Sequence, residues 1–399
     1  MTNFPLRLTL VVMLWLSSCQ LVAGLAGDRD LQPLGSGAVG CAGSDAGGGD
    51  CPASAGEPGQ SGGQAGLARG PEGGAAGATA PADAGSGGEG ALGPALAARS
   101  CDEGSACNDE SACTTLLVPG GGFMMGRGET GTDAYLGSGN EQPEHSVTVS
   151  PFWLDKYEVT VGRFRSFVES YDQLPKPERG AGALSGIPSS GWKSEWDDYL
   201  PVDRAALEAT LLGIDGCNPN FRTWTLAAGN AECRPMNCVD WYVSFAFCVW
   251  DGGRLPTEAE WEFAAAGGDE NRLFPWGPQP PTAELAVFNC SASGSNECTP
   301  ADIRPVGSRP LGNGRFGQAD LAGSMLERTR DVYDADFYSL GAASGPNVVS
   351  LGQDSTLQDG PARGGSYLGE GGLVRVAFRE LVYRNHRVDG VGWRCARNP

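Results

Sequence analysis

Arg254-Leu255-Pro256-Thr257-Glu258-Ala259-Glu260-Trp261-Glu262-Phe263-Ala264-Ala265-Ala266 is the stretch on which the reading of the fold turns. Thr257 can N-cap a helix while Glu260, three residues on, reaches back to the cap's own amide, a capping box with acidic side chains at the positive helix end. Gly267 stops that helix. Upstream, Val239 to Trp250 reads as a buried helix carrying Trp241, Phe245 and Cys248, ended by Gly252 and Gly253. Downstream comes Phe274-Pro275-Trp276-Gly277.

Working further outward, Val118-Pro119-Gly120-Gly121-Gly122-Phe123-Met124-Met125-Gly126 reads as a strand and turn. Glu141, Pro143 and His145 precede Val147 and Val149, which alternate as in a half-buried strand. Phe152 to Tyr157 leads into Glu158-Val159-Thr160, where Thr160 would cap a helix with Val161, Phe164 and Phe167 on one face. Between Asp172 and Pro235 the chain shows no clear period and is longer than a passive loop, with Cys217 and Cys233 available to pin it. The C-terminal landmarks are Asp320-Leu321-Ala322-Gly323-Ser324-Met325-Leu326-Glu327-Arg328, Arg363-Gly364-Gly365-Ser366-Tyr367 and Gly392-Trp393-Arg394-Cys395.

The N-terminus points to export. Arg7 is followed by the apolar run Leu8 to Leu16, too short to span a bilayer, and Leu16-Ser17-Ser18-Cys19 resembles a bacterial lipobox. Residues 1–18 are thus expected to be a signal peptide, with Cys19 as the lipidated first residue of an envelope lipoprotein. Gln20 carries no inner-membrane retention signal, which places the expected location at the outer membrane, facing the periplasm or the cell surface. From 19 to 100 the chain is Gly-, Ala-, Ser- and Pro-rich and has too little apolar surface to offset ordering, so it reads as a tether. Residues 101–116 form a Cys-rich lead-in, and 117–399 suffice for one large domain. Thirteen cysteines with only two histidines fit a disulfide framework in an oxidising compartment. A formal charge of −20 argues against nucleic acid as a partner.

From Leu117 to Arg397 the motifs, in this order, resemble the sulfatase-modifying-factor family, the formylglycine-generating enzymes and their relatives. The resemblance implies an α+β, irregular, loop-rich fold of the C-type-lectin-like kind. It also implies a disulfide between Cys248 and Cys395, which would close a loop of about 147 residues and stabilise by roughly 4 to 5 kcal/mol in the chain-entropy model. Cys290 with Cys298 is expected as a local bridge, while the connectivity of Cys101, Cys107, Cys113, Cys217, Cys233 and Cys238 stays open.

The family's chemistry is tested residue by residue. Its oxidases are expected to hold copper(I) between two cysteine thiolates, since soft sulfur suits that ion. Here Gly371 and Val376 occupy those two places, and no cysteine lies between Ser366 and Gly392. Cys233 and Cys238 have the four-residue spacing of a transplanted pair, against the plainer reading that each belongs to a structural bridge. Copper is therefore not expected. A three-histidine iron centre, the chemistry of other relatives, is excluded because the chain has only His145 and His386.

Calcium remains as the family's other ligand. Glu327 and the carbonyls of Gly323 and Met325 are the candidate donors of one site, with Ser324 in place of the usual asparagine, and Asn289 is a candidate donor of another. The plainer reading of Glu327 is a buried carboxylate bonded within the protein. Tyr367, Arg375, Arg379, Arg384 and His386 are candidates for a pocket, while Arg394 is expected to be structural. Two functions follow. One is a lipid-anchored binding module for a peptide, glycan or envelope protein; the alternative is an oxidoreductase that modifies a peptide or chromophore in the envelope.

Overall fold

The computed structural model describes residues 98–101, 106–127, 139–292, 297–352 and 359–399. The signal, Cys19, Cys41, Cys51 and the body of the tether lie outside the described residues. The chain divides into two units, Met1–Asp83 and Ala84–Pro399, and every described residue belongs to the second. Among the described residues no helix is long and apolar enough to cross a membrane.

Short strands and four helices alternate in an α+β order. The strands begin with β1 (Ala106–Cys107), β2 (Glu110–Ser111), β3 (Thr115–Val118), β4 (Gly121–Met125), β5 (His145–Val149) and β6 (Phe152–Asp155). Next come the helices α1 (Val161–Ser170), α2 (Arg204–Leu212), α3 (Trp241–Trp250) and α4 (Glu258–Ala266). The chain closes with β7 (Leu326–Arg328), β8 (Gly345–Pro346), β9 (Asp359–Arg363), β10 (Arg379–Tyr383), β11 (Val391–Gly392) and β12 (Ala396–Arg397). One sheet runs β10-β9-β7-β11, another β12-β6-β3, a third β4-β5-β8, and β1 pairs with β2. The sheet β12-β6-β3 lays the last strand beside the first strands of the domain. Val147 and Val149 of β5 are buried while Ser146 and Thr148 are exposed, the alternation expected of a strand with one solvated face.

Helix α4 forms as its sequence dictates. The Thr257 Oγ1 accepts from the Glu260 amide at 3.1 Å, and the Glu260 carboxylate accepts from the Thr257 amide at 2.9 Å. Gly267 ends the helix at φ 69°, a left-handed conformation that costs glycine nothing. All nine residues of α4 are buried, three glutamates included. Such burial is tolerable only if each carboxylate is paired, and each is. Glu260 takes Arg254 at 2.6 Å through both oxygens, Glu258 takes Arg379, and Glu262 takes Arg363 together with the Gly126 amide.

Helix α1 is capped by Thr160 and buries Val161, Phe164 and Phe167. Helix α3 starts two residues later than the apolar run suggests. Asp240 serves as its N-cap, its carboxylate accepting from the Val243 amide at 2.9 Å, so Val239 and Asp240 lie outside. Trp393 meets the Phe164 and Phe247 rings edge to face where α1, α3 and the C-terminal segment come together.

The segment from Asp172 to Pro235 contains a helix that periodicity does not reveal. Helix α2 is capped by Asp203 and buries only Leu207 and Leu211, too few apolar positions to mark a period. Cysteines do pin this segment, though Cys217 pairs with Cys238 and Cys233 pairs with Cys107. The remaining bridges are Cys101–Cys113, Cys248–Cys395 and Cys290–Cys298. A closed ring of four buried charges ties the ends together: Arg163 and Arg397 each bridge Asp155 and Asp251 at 2.5 to 2.8 Å.

Candidate functional site

Gly371 and Val376, which the resemblance aligns with the copper cysteines, sit on the segment that follows β9. Gly371 opens a single helical turn, Gly371–Val374, and Val376 is 4 % exposed, packed in the same core as Trp261 and Ala265. The Val376 amide donates to the Leu273 carbonyl at 3.0 Å. Its place is filled by hydrocarbon, which offers no donor to a metal. The alternative pair also fails: Cys233 and Cys238 are committed to different disulfides. All ten cysteines among the described residues are in bridges, so none of them is a free thiolate.

The structure does not assemble a pocket from the five candidate residues. Tyr367 is fully buried, and its hydroxyl donates to the Asp389 carboxylate at 2.8 Å. Arg375 forks onto Glu141 at 2.7 and 2.9 Å. Arg379 forks onto Glu258 at 2.8 Å and lies over the rings of Tyr333 and Tyr338. Arg384 is buried with its guanidinium 3.9 Å from the centre of the Trp241 ring, donating to the Asp331 carbonyl at 2.8 Å. Burial and the neighbouring Arg330 push its pKa down to about 9. Only His386 is exposed, its ring against Tyr383. The carboxylates that take Arg375 and Arg379, Glu141 and Glu258, come from far upstream. The signal that could have found the partner of Arg379 was Glu258, a carboxylate at a buried helical position of α4.

Of the candidate calcium donors, the Glu327 carboxylate is engaged within the protein. Arg394 donates to both oxygens of Glu327 at 2.6 Å, and the Trp261 indole adds a third bond at 3.0 Å. Glu158 accepts from the Met325 amide at 3.0 Å and from the Ser324 hydroxyl at 3.2 Å. Burial, together with the nearby Asp320 and Glu327 carboxylates, raises its pKa well above the ordinary value. Gly323 pairs with Val287 so closely that a Cβ would lie 2.2 Å from the Val287 carbonyl oxygen. Asn289 is exposed, with its backbone amide bonded to the Gly369 carbonyl. This donor set does not fit calcium, because a guanidinium holds the carboxylate that the ion would need. No group of three or more His, Cys, Asp and Glu residues is arranged for a metal among the described residues.

A cleft of about 570 Å³ opens elsewhere, between the ends of α1 and α3 and the segment after Asp172. Phe167, Tyr171, Leu200, Pro201, Val249 and Trp250 form its walls. Asp172, Lys176, Glu178 and Asp203 add charge to the lining. None of the candidate site residues read from the sequence is among its lining residues.

The family model for the Sulfatase-modifying factor enzyme 1-like domain matches residues 103–399. In sequence the chain is similar to "Inactive C-alpha-formylglycine-generating enzyme 2" of Mus musculus, 32% identical over 288 residues, covering 70% of this chain and 84% of that protein. It is 29% identical over 298 residues to "Formylglycine-generating enzyme" of Mus musculus, covering 70% of this chain and 73% of that one. Among solved structures, PvdO from Pseudomonas aeruginosa aligns with a TM-score of 0.51 at 22% identity, over 77% of this chain and 100% of PvdO. At that identity the likeness shows the fold alone.

Proposed function

This chain belongs to the sulfatase-modifying-factor family, and from that premise we propose that it is a binding or non-copper member that does not generate formylglycine. The observation that carries the reading is the closure of every described cysteine in a disulfide, and the reading of Gly371 and Val376 as the residues at the copper positions supports it. Soft sulfur donors are what copper(I) requires, and the core around Val376 supplies none. The mouse relative at 32% identity is itself named inactive, which agrees with a family in which the scaffold outlives the oxidase chemistry. The ligand class is a peptide, glycan or envelope protein, and the acidic chain suits neutral or cationic partners.

The N-terminus supports export with a lipid anchor on Cys19, and a location at the outer membrane. The deciding experiment incubates the purified protein with copper(I), oxygen and a cysteine-containing sulfatase-type peptide. The expected result is an unchanged thiol by mass; conversion to an aldehyde overturns the reading. For the anchor, Cys19→Ala is expected to move the protein from the membrane to the soluble fraction, and unchanged membrane association would refute it.

A further inference from the structure

The walls of the cleft beside α1 and α3 are held by the protein's own contacts. Phe167 stands between Tyr171 and Trp250, its ring centroid 5.3 Å from the first at 82° and 5.4 Å from the second at 59°. Phe167 is buried, while Tyr171 and Trp250 are half-buried and keep part of their rings for the cleft. The Tyr171 hydroxyl donates to the Pro201 carbonyl at 2.9 Å and the Arg204 amide donates to Asp172 at 2.6 Å, which ties the end of α1 to the start of α2. Pro175, Pro177 and Pro201 stiffen the lining, because each ring fixes its own φ. An aromatic wall held in this way loses little freedom on binding.

The charges at the cleft favour a cation. Asp172, Glu178 and Asp203 line it against Lys176 and Arg99, an excess of carboxylates. The Lys176 ammonium is taken by the Asp197 carbonyl, to which it donates at 3.1 Å. Asp172 and Asp203 each give one oxygen to a backbone amide of α2, and the Glu178 carboxylate has no partner among the described residues. Burial, then the Asp240 and Asp203 carboxylates, raises the Tyr171 pKa above its ordinary value, as a negative field at the ring would.

We propose that this cleft takes an arginine or lysine side chain of a basic peptide, with its cation at the Tyr171 and Trp250 rings and Glu178, and its apolar neighbours on the rest of the lining. This rests on the chain being a binding member of its family and names the ligand class of that role. Aromatic rings attract a cation electrostatically, Trp most strongly, and a nearby carboxylate adds to the attraction. Leu200, Val202 and Val249 extend the lining past the rings with apolar surface that a bare amine would leave wet. A volume of about 570 Å³ suits a side chain with its neighbours and falls short of a protein-sized interface. The formal charge of −20 draws basic partners to the whole surface, and the rings choose the cleft.

Isothermal titration calorimetry of the full chain at physiological salt tests this, with an acetylated and amidated leucine-arginine-leucine tripeptide as the probe. The analogue with citrulline for arginine, alike in shape and neutral, is expected to bind at least about tenfold more weakly. Glu178→Lys and Val202→Lys, both at exposed positions, are each expected to weaken the tripeptide about fivefold. Glu284→Lys, exposed and outside the lining, makes the same charge change and is expected to stay within about twofold of wild type. Equal binding of the citrulline analogue overturns the proposal. So does equal weakening by Glu178→Lys and Glu284→Lys, since overall charge alone would then attract the probe. Arginine amide binding as tightly as the tripeptide overturns the peptide as occupant. Absence of binding at millimolar probe also overturns the proposal and leaves the copper-free reading standing, because that reading is tested by the mass of the thiol peptide.

Discussion

Glu258 and Arg379 form a bidentate pair across 121 residues of sequence, with Nε and Nη2 of the guanidinium each 2.8 Å from a carboxylate oxygen. Both side chains are shielded from water. The first turn of α4 is thereby fixed to β10, and Arg379 is spent on architecture. Removing one partner leaves the other charge buried without compensation. Glu258→Gln is expected to lower stability by about 3 to 5 kcal/mol in denaturant unfolding. A loss under about 1 kcal/mol would mean that the pair does not hold the helix to the strand.

Cys248 and Cys395 close a loop with a sequence separation of 147. Replacing both by serine is expected to cost roughly 4 to 5 kcal/mol, because the unfolded chain regains the entropy that the bridge removes. The denaturation midpoint reads this. A tryptic map of the unreduced protein with both residues as free thiols would refute the bridge itself.

Asp331 gives a pH dependence with a defined sign. Burial, then the neighbouring Glu258 carboxylate, pushes its pKa up to about 7 from an unfolded value near 3.9. The folded state therefore holds the extra proton, and the stabilisation that this gives is present below about pH 4 and lost as pH rises through about 7. Asp331→Asn gives up one acceptor for the Glu258 or Ser350 amide and is less stable at low pH. Its disadvantage should shrink by on the order of 2 to 4 kcal/mol between pH 4 and pH 8. Parallel stability curves for variant and wild type would show that Asp331 does not titrate there.

Glu327 provides the calcium test. With Arg394 on both oxygens, millimolar calcium is expected to leave the melting temperature within about 2 °C of the chelated protein. A larger upward shift would show that the ion displaces the guanidinium. Glu327→Gln is expected to destabilise by about 3 to 5 kcal/mol whether or not calcium is present, since Arg394 loses its counter-charge.

Much of this was legible in the sequence where the physics is local. The Thr257–Glu260 capping box, the Gly267 stop and the Thr160 cap each depend on residues within one helical turn. The alternation of Val147 and Val149 marks β5 in the same way. Helix α2 was not legible, because only Leu207 and Leu211 face the core and its cap Asp203 sits in a Pro-bearing segment. The start of α3 was misplaced because an apolar Val239 looks like helix, while the capping carboxylate of Asp240 marks its true beginning.

The partners of Arg375 and Arg379 were not legible for a different reason. Neighbours in sequence indicate that cations are close together and say nothing about which carboxylates lie opposite. Glu141 meets Arg375 from 234 residues away and Glu258 meets Arg379 from 121. By itself the sequence determined the family and the helix signals, since these depend on residue identity and short spacing. Only the tertiary structure decided that the arginines are staples, that Glu327 is spent on Arg394 and that the open cleft lies beside Trp250. A buried charge must find its partner in space, and long-range pairing leaves no trace in local pattern.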